Sequence, residues 1–288
     1  MSDRALAEQF DEHRAHLRAV AYRLLGSLHE ADDAVQETWL RLSRSDTSAV
    51  ANLGGWLTTV TGRICLDMLR SRTSRRETFV AVPDPVVSAP DTMDPVQEAL
   101  LAESVGMALT IVLEELSPAE RLAFVLHDSF GVPFDEVGAL LGRTPAAAKQ
   151  LASRARKRVR TAGPRPDADP AGQRAAVDAF FGAARAGDFD ALVAVLDPDV
   201  ELRVDVGAGA PGSVLVRGAA AVARRALLFA RPEAALHPVL VNGAAGVVVT
   251  VAGRPVTVMG FTVSGGAVAA ITVLSDPDRL KSLPLPPL

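Results

Sequence analysis

Two proline-rich stretches, TFVAVPDPVVSAPDTMDP (78–95) and GPRPDADPAG (163–172), divide the chain into three segments of different texture. Proline at that density interrupts helices and sheets alike, so neither stretch belongs inside a regular element. Residues 1–77 read as helix, with apolar residues three to four apart and few breakers. Residues 96–162 read the same way, punctuated by LSPAE, FGVPF and LGRTP. From residue 173 the period changes. A helical stretch broken at Gly187, with Asp188 as a cap, gives way to the Val-rich runs VELRVDV, LHPVLVN, GVVVTVA, PVTVMGFTV and AVAAITVL. One helix, 218–230, interrupts these runs. The expected fold is multidomain: two all-α domains (1–77 and 96–162), linkers at 78–95 and 163–172, and a C-terminal α+β domain (173–288).

Composition narrows the setting. The single Cys65 rules out an internal disulfide and suits a reducing compartment. The sequence shows neither a signal-peptide pattern nor a charge-free apolar run long enough to span a bilayer, so a cytoplasmic protein without a membrane partner is expected. The formal charge is −4, which makes local positive charge informative. Basic residues gather at Arg70, Arg72, Arg75 and Arg76, and again from Lys149 to Arg160; acids gather in HEADDAVQE (29–37). Segregated charge points to two surfaces with different partners.

The second basic cluster has helix-turn-helix grammar. A short helix (134–141) stops at Gly142, Thr144 caps the next helix, and Pro145 fits its first turn. At 100° per residue, Ala148, Leu151, Ala152, Ala155 and Val159 share the supporting face. Ala146, Gln150, Ser153 and Lys157 face outward. Lys149, Arg156 and Arg160 flank that row on one side, and Arg154 and Arg158 on the other. Polar groups in the middle of a helix face suit base edges, and flanking cations suit phosphates on the groove walls. On LHEADDAVQETWLRL (28–42), Leu28, Ala31, Val35, Trp39 and Leu42 form the core stripe. Asp33, Gln36, Glu37 and Leu40 point away, an apolar anchor within a polar rim.

Three pieces in this order, AYRLLGSLHEADDAVQETWLRL, GGWLTTVTGRICLDMLRSR and LSPAERLAFVLHDSFGVPFDEVGALLGRTPAAAKQLASRARKRVR, resemble the extracytoplasmic-function (ECF) class of bacterial sigma factors over residues 5–161. The resemblance implies regions 2 and 4 joined by a linker lying near the polymerase active-site channel, with core RNA polymerase and promoter DNA as partners. Asp33, Gln36, Glu37 and Leu40 would dock on polymerase. The loop 45–54 and helix 55–72, with Asn52, Arg63, Asp67, Arg70 and Arg72, would capture the −10 element. Thr144, Ala146, Lys149, Gln150, Ser153, Arg154, Arg156, Lys157 and Arg158 would serve the −35 element.

The C-terminal segment, AAVDAFFGAARAGDFDALVAVLDPDVELRVD followed by VRGAAAVARRALLFA and the Val-rich runs, resembles a SnoaL-like cone-shaped α+β domain. One ECF group carries such a domain behind region 4 as a regulator in cis. DPDRL (276–280) matches that group's Asn-Pro-Asp-Lys-Leu signature. VPDP (82–85) stands where Trp-Leu-Pro-Glu-Pro is expected, and DVGAGA (205–210) stands for Asp-Gly-Gly-Gly-Lys without the lysine. The regulatory contact is therefore expected at Asp205, Asp276, Asp278 and Arg279.

A cone of this kind has room for a small-molecule ligand. The alternative reading is a DNA-binding sensor or a SnoaL-type enzyme. For an acid–base reaction the segment offers His237, Asp205 and Asp276, with Arg217 or Arg224 to orient an anion. Strand and turn roles account for these residues more simply, so no catalysis, cofactor or metal is expected.

Overall fold

The computed structural model describes residues 3–45, 50, 52–74, 82–90, 106–161, 164, 166–207, 214–231 and 233–288. The chain forms two compact units. One comprises Met1–Thr78, Glu98–Glu103 and Val112–Ala162; the other comprises Phe79–Gln97, Ser104–Ile111 and Gly163–Leu288. The first helical segment and most of the second thus belong to the first unit, while most of the first proline-rich stretch and Ser104–Ile111 belong to the second.

In the first unit, α1 (Asp3–Leu25), α2 (Leu28–Leu42) and α3 (Leu53–Ser74) pack on one another. Gly26, with φ +69°, lets the chain leave α1, and the Ser27 hydroxyl accepts from the Glu30 amide to start α2. The stripe read from sequence is the buried one: Leu28, Ala31, Val35 and Leu42 are buried, with Phe10, Leu17 and Leu57 in the same core. Each fully buried leucine contributes about 2 kcal/mol of apolar transfer. Thr38 and Thr61, both buried, satisfy each other at 3.0 Å between α2 and α3.

Helix α4 (Gly106–Glu114) starts in the second unit and ends in the first, which then continues with α5 (Pro118–Phe124), a π-helical turn (Val125–Ser129), α6 (Phe134–Leu141) and α7 (Pro145–Thr161). Ser117 and Glu120 form a reciprocal capping box at the start of α5. Gly142, with φ +65°, ends α6 as the sequence predicts. Gly138 has a separate reason to be glycine: a Cβ there would stand 2.8 Å from the Arg143 carbonyl oxygen and 3.1 Å from the Pro145 nitrogen. The turn between the two helices folds back onto α6 only because that side chain is absent.

The second unit is an α+β domain. Asp169 caps α8 (Pro170–Ala186), Gly187 ends it with φ +71°, and Asp188 caps α9 (Phe189–Val195). The strands are β1 (Val87–Ser88), β2 (Leu196–Asp205), β3 (Val214–Arg217), β4 (Ala235–Val241), β5 (Ala244–Val251), β6 (Arg254–Ser264) and β7 (Ala267–Leu274). Helix α10 (Ala219–Phe229) follows β3, and α11 (Pro277–Ser282) follows β7. The sheet order is β1-β4-β5-β6-β7-β2-β3, antiparallel throughout except for the parallel β2–β7 pair.

Asn242 and Gly243, with φ of 50° and 78°, make the two-residue turn between β4 and β5. Val177, Phe180, Leu192 and Val222 from the helices bury against Val247, Phe261 and Ile271 from the sheet. The rings of Phe180, Phe181 and Phe261 meet with centroids 5.4, 5.6 and 5.8 Å apart. This is the helix-on-curved-sheet layering expected of a SnoaL-like cone.

The strand β1 lies within the proline-rich stretch 78–95. It adds to the edge of the sheet, with Val87 opposite Val241 and Ser88 opposite Leu240. Residues 82–88 are buried. The Val86 amide donates to Asn242 Oδ1 at 2.9 Å, and the Asn242 amide donates back to the Val86 carbonyl at 2.8 Å. Pro83 and Pro85 precede the ladder rather than interrupt it, which is how an edge strand tolerates proline. Strand β3 was also not separated from its neighbours in the sequence reading.

Among the described residues, no helix is long and apolar enough to cross a membrane, and no cluster of His, Cys, Asp and Glu is arranged to hold a metal ion.

Candidate nucleic-acid and polymerase interfaces

Helix α7 is supported on the face the sequence predicts. Ala148, Leu151, Ala152 and Ala155 are buried, while Val159 is only partly covered. Small side chains on that face let α7 lie close to α5 and α6, which it packs against. The opposite row of Ala146, Gln150, Ser153 and Lys157 is exposed along its length, as are Lys149, Arg154 and Arg160. Thr144 Oγ1 accepts from the Ala147 amide at 3.2 Å, so it serves as the cap of α7.

Two arginines in the flanking walls have partners inside the protein. Arg156 forms a forked pair with Asp128, Nε to Oδ1 at 2.6 Å and Nη2 to Oδ2 at 3.3 Å. Arg158 donates to Glu120 Oε2 at 3.1 Å. Burial alone would raise the Glu120 carboxyl, but the Ser117 hydrogen bonds, with Arg158 and Arg154 nearby, carry it net below the usual range. Glu120 therefore acts twice, capping α5 and bracing α7. The sequence reading missed Asp128 and Glu120. Glu120 carried a signal, the S-x-x-E spacing of LSPAE.

On α2, Asp33, Gln36 and Leu40 are exposed and Glu37 is partly exposed, with a 3.1 Å ion pair from Arg41 to Glu37. Leu40 is one of few large apolar side chains left open among the described residues, at 38 % exposure. On α3, Arg63, Asp67 and Arg70 are exposed along one line, and Asn52 caps the helix by accepting from the Gly55 amide at 3.0 Å. Arg72 differs from the other −10 candidates: it is largely buried, pairs with Glu30 and donates to the Leu25 carbonyl at 3.0 Å. It ties α3 to the junction between α1 and α2. Half of the loop 45–54 (46–49 and 51), with Arg75 and Arg76, lies outside the described residues.

An open groove of about 320 Å³ separates the α2 and α3 surfaces. Its apolar floor is Ile64 and Met68; Glu37, Arg41, Asp67 and Ser71 are on its rim.

Residues 9–75 match the family model for sigma-70 region 2, and residues 107–159 match the model for sigma-70 region 4. The ECF RNA polymerase sigma factor SigJ of Mycobacterium tuberculosis is 42 % identical over 301 aligned positions, covering 96 % of this chain and 94 % of SigJ. The chain belongs to the ECF RNA polymerase sigma factors. A probable ECF sigma factor of the same species, SigI, is 35 % identical, with 94 % of this chain and 93 % of SigI aligned. The crystal structure of SigJ superposes with a TM-score of 0.77 at 39 % identity, over 97 % of this chain and all of SigJ. The helices α2, α3 and α7 are thus those of an alternative sigma factor, and the second unit is common to both relatives over nearly their full length.

That second unit carries a charged cluster around Arg279 of this sigma factor. Arg279 Nε donates to Asp84 Oδ1 at 3.0 Å and Nη2 to the same oxygen at 2.5 Å. Its Nη1 donates to Asp205 Oδ2 at 2.6 Å, and Nη2 also reaches the Val82 carbonyl at 2.7 Å. One planar guanidinium thus joins the linker to the end of β2. Both aspartates are nearly buried, which confines the cluster and raises the cost of removing the cation.

The other expected regulatory residues have local roles. Asp276 caps α11 through the Asp278 and Arg279 amides, and Asp278 is exposed and pairs with Lys281. Gly207 (φ +82°) packs so tightly on the Asp276 carboxylate that a Cβ would lie 2.8 Å from its oxygen. Residues 208–210 of DVGAGA lie outside the described residues. Asp84 entered the sequence analysis only as part of the VPDP signature, and Asn242 was not singled out.

The second proline-rich stretch is anchored as well. Asp167 accepts from the amides of Gly265 and Gly266, both at 2.9 Å, in the β6–β7 turn. Those two donors hold its carboxyl below the usual aspartate value of 3.8. A depressed folded pKa means the unfolded chain binds more protons, so this anchor is complete above the ordinary aspartate range and is lost as pH falls through the depressed value. Asp167→Asn is expected to increase amide exchange at Gly265 and Gly266 at neutral pH. The unaltered protein should show the same increase only under acid.

Proposed function

We propose that this sigma factor uses the Asp33, Gln36, Glu37 and Leu40 face to dock on core polymerase and the Arg63, Asp67 and Arg70 line, with Asn52, to engage the −10 element. The Gln150, Ser153 and Lys157 row reads the −35 element between Lys149 and Arg154. Residues 1–77 and 96–162 act as regions 2 and 4, and the domain 173–288 restrains the linker 78–95 in cis.

The observation that carries the regulatory part is the Arg279 cluster. A linker that must lie near the polymerase active-site channel cannot do so while Asp84 and Val82 are held by Arg279 and Val86 is held by Asn242. Release of the linker is therefore the activating step.

The same geometry speaks against an enzyme in this domain. Of the groups considered for catalysis, Asp205 is paired with Arg279, Asp276 caps a helix, and Arg217 pairs with Glu201 at 2.7 Å. Leu236 and Val249 sit opposite each other in the sheet and face the core. His237 and Val248 are the next pair, so they face the other side, away from the cone interior. His237 bonds Thr250 there at 2.9 Å.

Run-off transcription with core polymerase on a cognate promoter tests the restraint. Arg279→Ala, and separately Asp84→Asn, should raise output several-fold at equal amounts of folded protein. Output unchanged in both variants would refute it.

A further inference from the structure

Arg156 stands in one wall of α7, on the same side of the helix as Lys149 and Arg160. Those two cations are exposed, whereas Arg156 is held in place. Its Nε and Nη2 fork onto Asp128 at 2.6 and 3.3 Å, so one carboxylate takes up the side edge of the guanidinium. The end edge, formed by Nη1 and the second hydrogen of Nη2, has no partner among the described residues and faces away from Asp128. A planar guanidinium arranged in this way can bind a second anion while keeping the first. The Arg156 side chain is 39 % exposed and that of Asp128 22 %, so the cation is the more open member of the pair.

Asp128 is itself fixed. It belongs to the π-helical turn Val125–Ser129, a kind of turn that recurs at functional sites. His127, the residue before it, stacks on Phe134 with ring centroids 3.7 Å apart, and its Nδ1 donates to the Val132 carbonyl at 3.0 Å. The Gly131 amide donates to the His127 carbonyl at 3.1 Å, and the Val132 amide to the Leu126 carbonyl at 2.9 Å. The backbone is thus pinned on both sides of Asp128, and the direction of its carboxylate is set before any ligand arrives. Glu120 holds Arg158 as well, but through one nitrogen only, and its carboxylate is shared with the cap of α5. Asp128 has no such second task among the described residues.

An acid on a surface that meets DNA lowers affinity, because it repels phosphate and reduces the number of counterions released. That cost is offset where the acid orders a cation. A free arginine loses rotamer freedom when it grips a phosphate, and Arg156 has lost that freedom already.

We infer that Asp128 is a positioning residue for promoter binding. It aims Arg156 so that the Nη1–Nη2 edge grips a backbone phosphate of the duplex, and it does so without touching the DNA. That contact fixes the register of α7 in the groove, where Gln150, Ser153 and Lys157 meet the bases. The inference rests on the −35 surface proposed above.

The test is the promoter affinity of the full-length protein with core polymerase, titrated over a range of salt on a duplex selected with the unaltered holoenzyme. Asp128→Asn keeps the shape of the side chain and removes a negative charge, so electrostatics alone predicts tighter binding. Positioning predicts the opposite sign, with affinity lower by about tenfold, the scale of one hydrogen bond to a charged group. The slope of log affinity against log salt should also become shallower by about one charge. Arg156→Ala should give both effects at the same size. With Arg156 already replaced, adding Asp128→Asn should weaken binding no further. Loss of a purely structural brace would lower thermal stability and leave the salt slope alone.

Affinity in Asp128→Asn equal to or above that of the unaltered protein, or an unchanged salt slope, would overturn the inference. The −35 assignment fails separately. If replacing Gln150 and Lys157 by alanine weakens binding while Asp128→Asn does not, α7 remains the reading helix and the positioning role falls. If neither set of changes alters binding, α7 does not read the promoter and both fall together.

Discussion

Alanine at both Gln150 and Lys157 should weaken binding of the −35 duplex by about 100-fold while leaving the protein folded and still able to bind polymerase. Both side chains are exposed on the face of α7 opposite its buried alanines, so truncation removes no internal packing. A well-made base contact discriminates by about 1–3 kcal/mol, and two lost together give an effect of this size. The salt dependence separates the two. The single Lys157→Ala variant removes a cation from the groove-facing row and should lower the slope of log affinity against log salt by about one charge. Gln150→Ala should leave that slope alone and flatten the preference among base pairs instead. Arg158→Ala is the useful contrast, because its guanidinium braces Glu120; its loss should show first in thermal stability. A double variant at 150 and 157 that bound the −35 duplex within threefold of the unaltered protein would remove α7 from the promoter.

Charge reversal with loss of the apolar anchor on α2 is the second large expectation. Glu37→Lys together with Leu40→Asp should reduce affinity for core polymerase by at least about 30-fold, the scale of a central anchor in an interface. The side chains are open enough to be replaced without opening the core: Leu40 is 38 % exposed, and the core contacts of α2 run through Leu28, Ala31, Val35 and Leu42. DNA binding by α7 should be unchanged, since Glu37 and Leu40 have no role in its support. Retained polymerase affinity would dismiss the α2 face as the docking surface.

Legibility in the sequence followed the range of the interactions. The turn before α7 was readable because Gly142, Thr144 and Pro145 are adjacent, and each has a conformational reason to be there. The buried face of α7 and the stripe on α2 were readable because a helix repeats its environment every turn. The long strands were readable from their valines. What was missed depends on distant partners. Arg279 was expected in the regulatory contact, but its partner Asp84 lies 195 residues away, and Arg121 donates to the carbonyl of Leu24, 97 residues away. No local period encodes either meeting. Residues 82–89 fell within the linker 78–95 because that stretch holds four prolines and no helical period, while the strand that recruits them, β4, lies some 150 residues on. The walls of α7 were assigned by charge alone; Arg156 and Arg158 carry the right charge, but their acids come from the π-helical turn and from a capping box.

The pairing of β1 with β4 has a consequence for how long an activated molecule lasts. Freeing residues 82–89 leaves β4 as an outermost strand with unmet amide and carbonyl groups facing solvent, the kind of border that recruits any extended peptide near it. The nearest such peptide is the one just released, still covalently attached and therefore present at high effective concentration. The active form would thus be transient by construction: unless polymerase keeps the linker occupied, the sheet takes it back. Full-length protein whose linker is permanently displaced should be the form most prone to self-association.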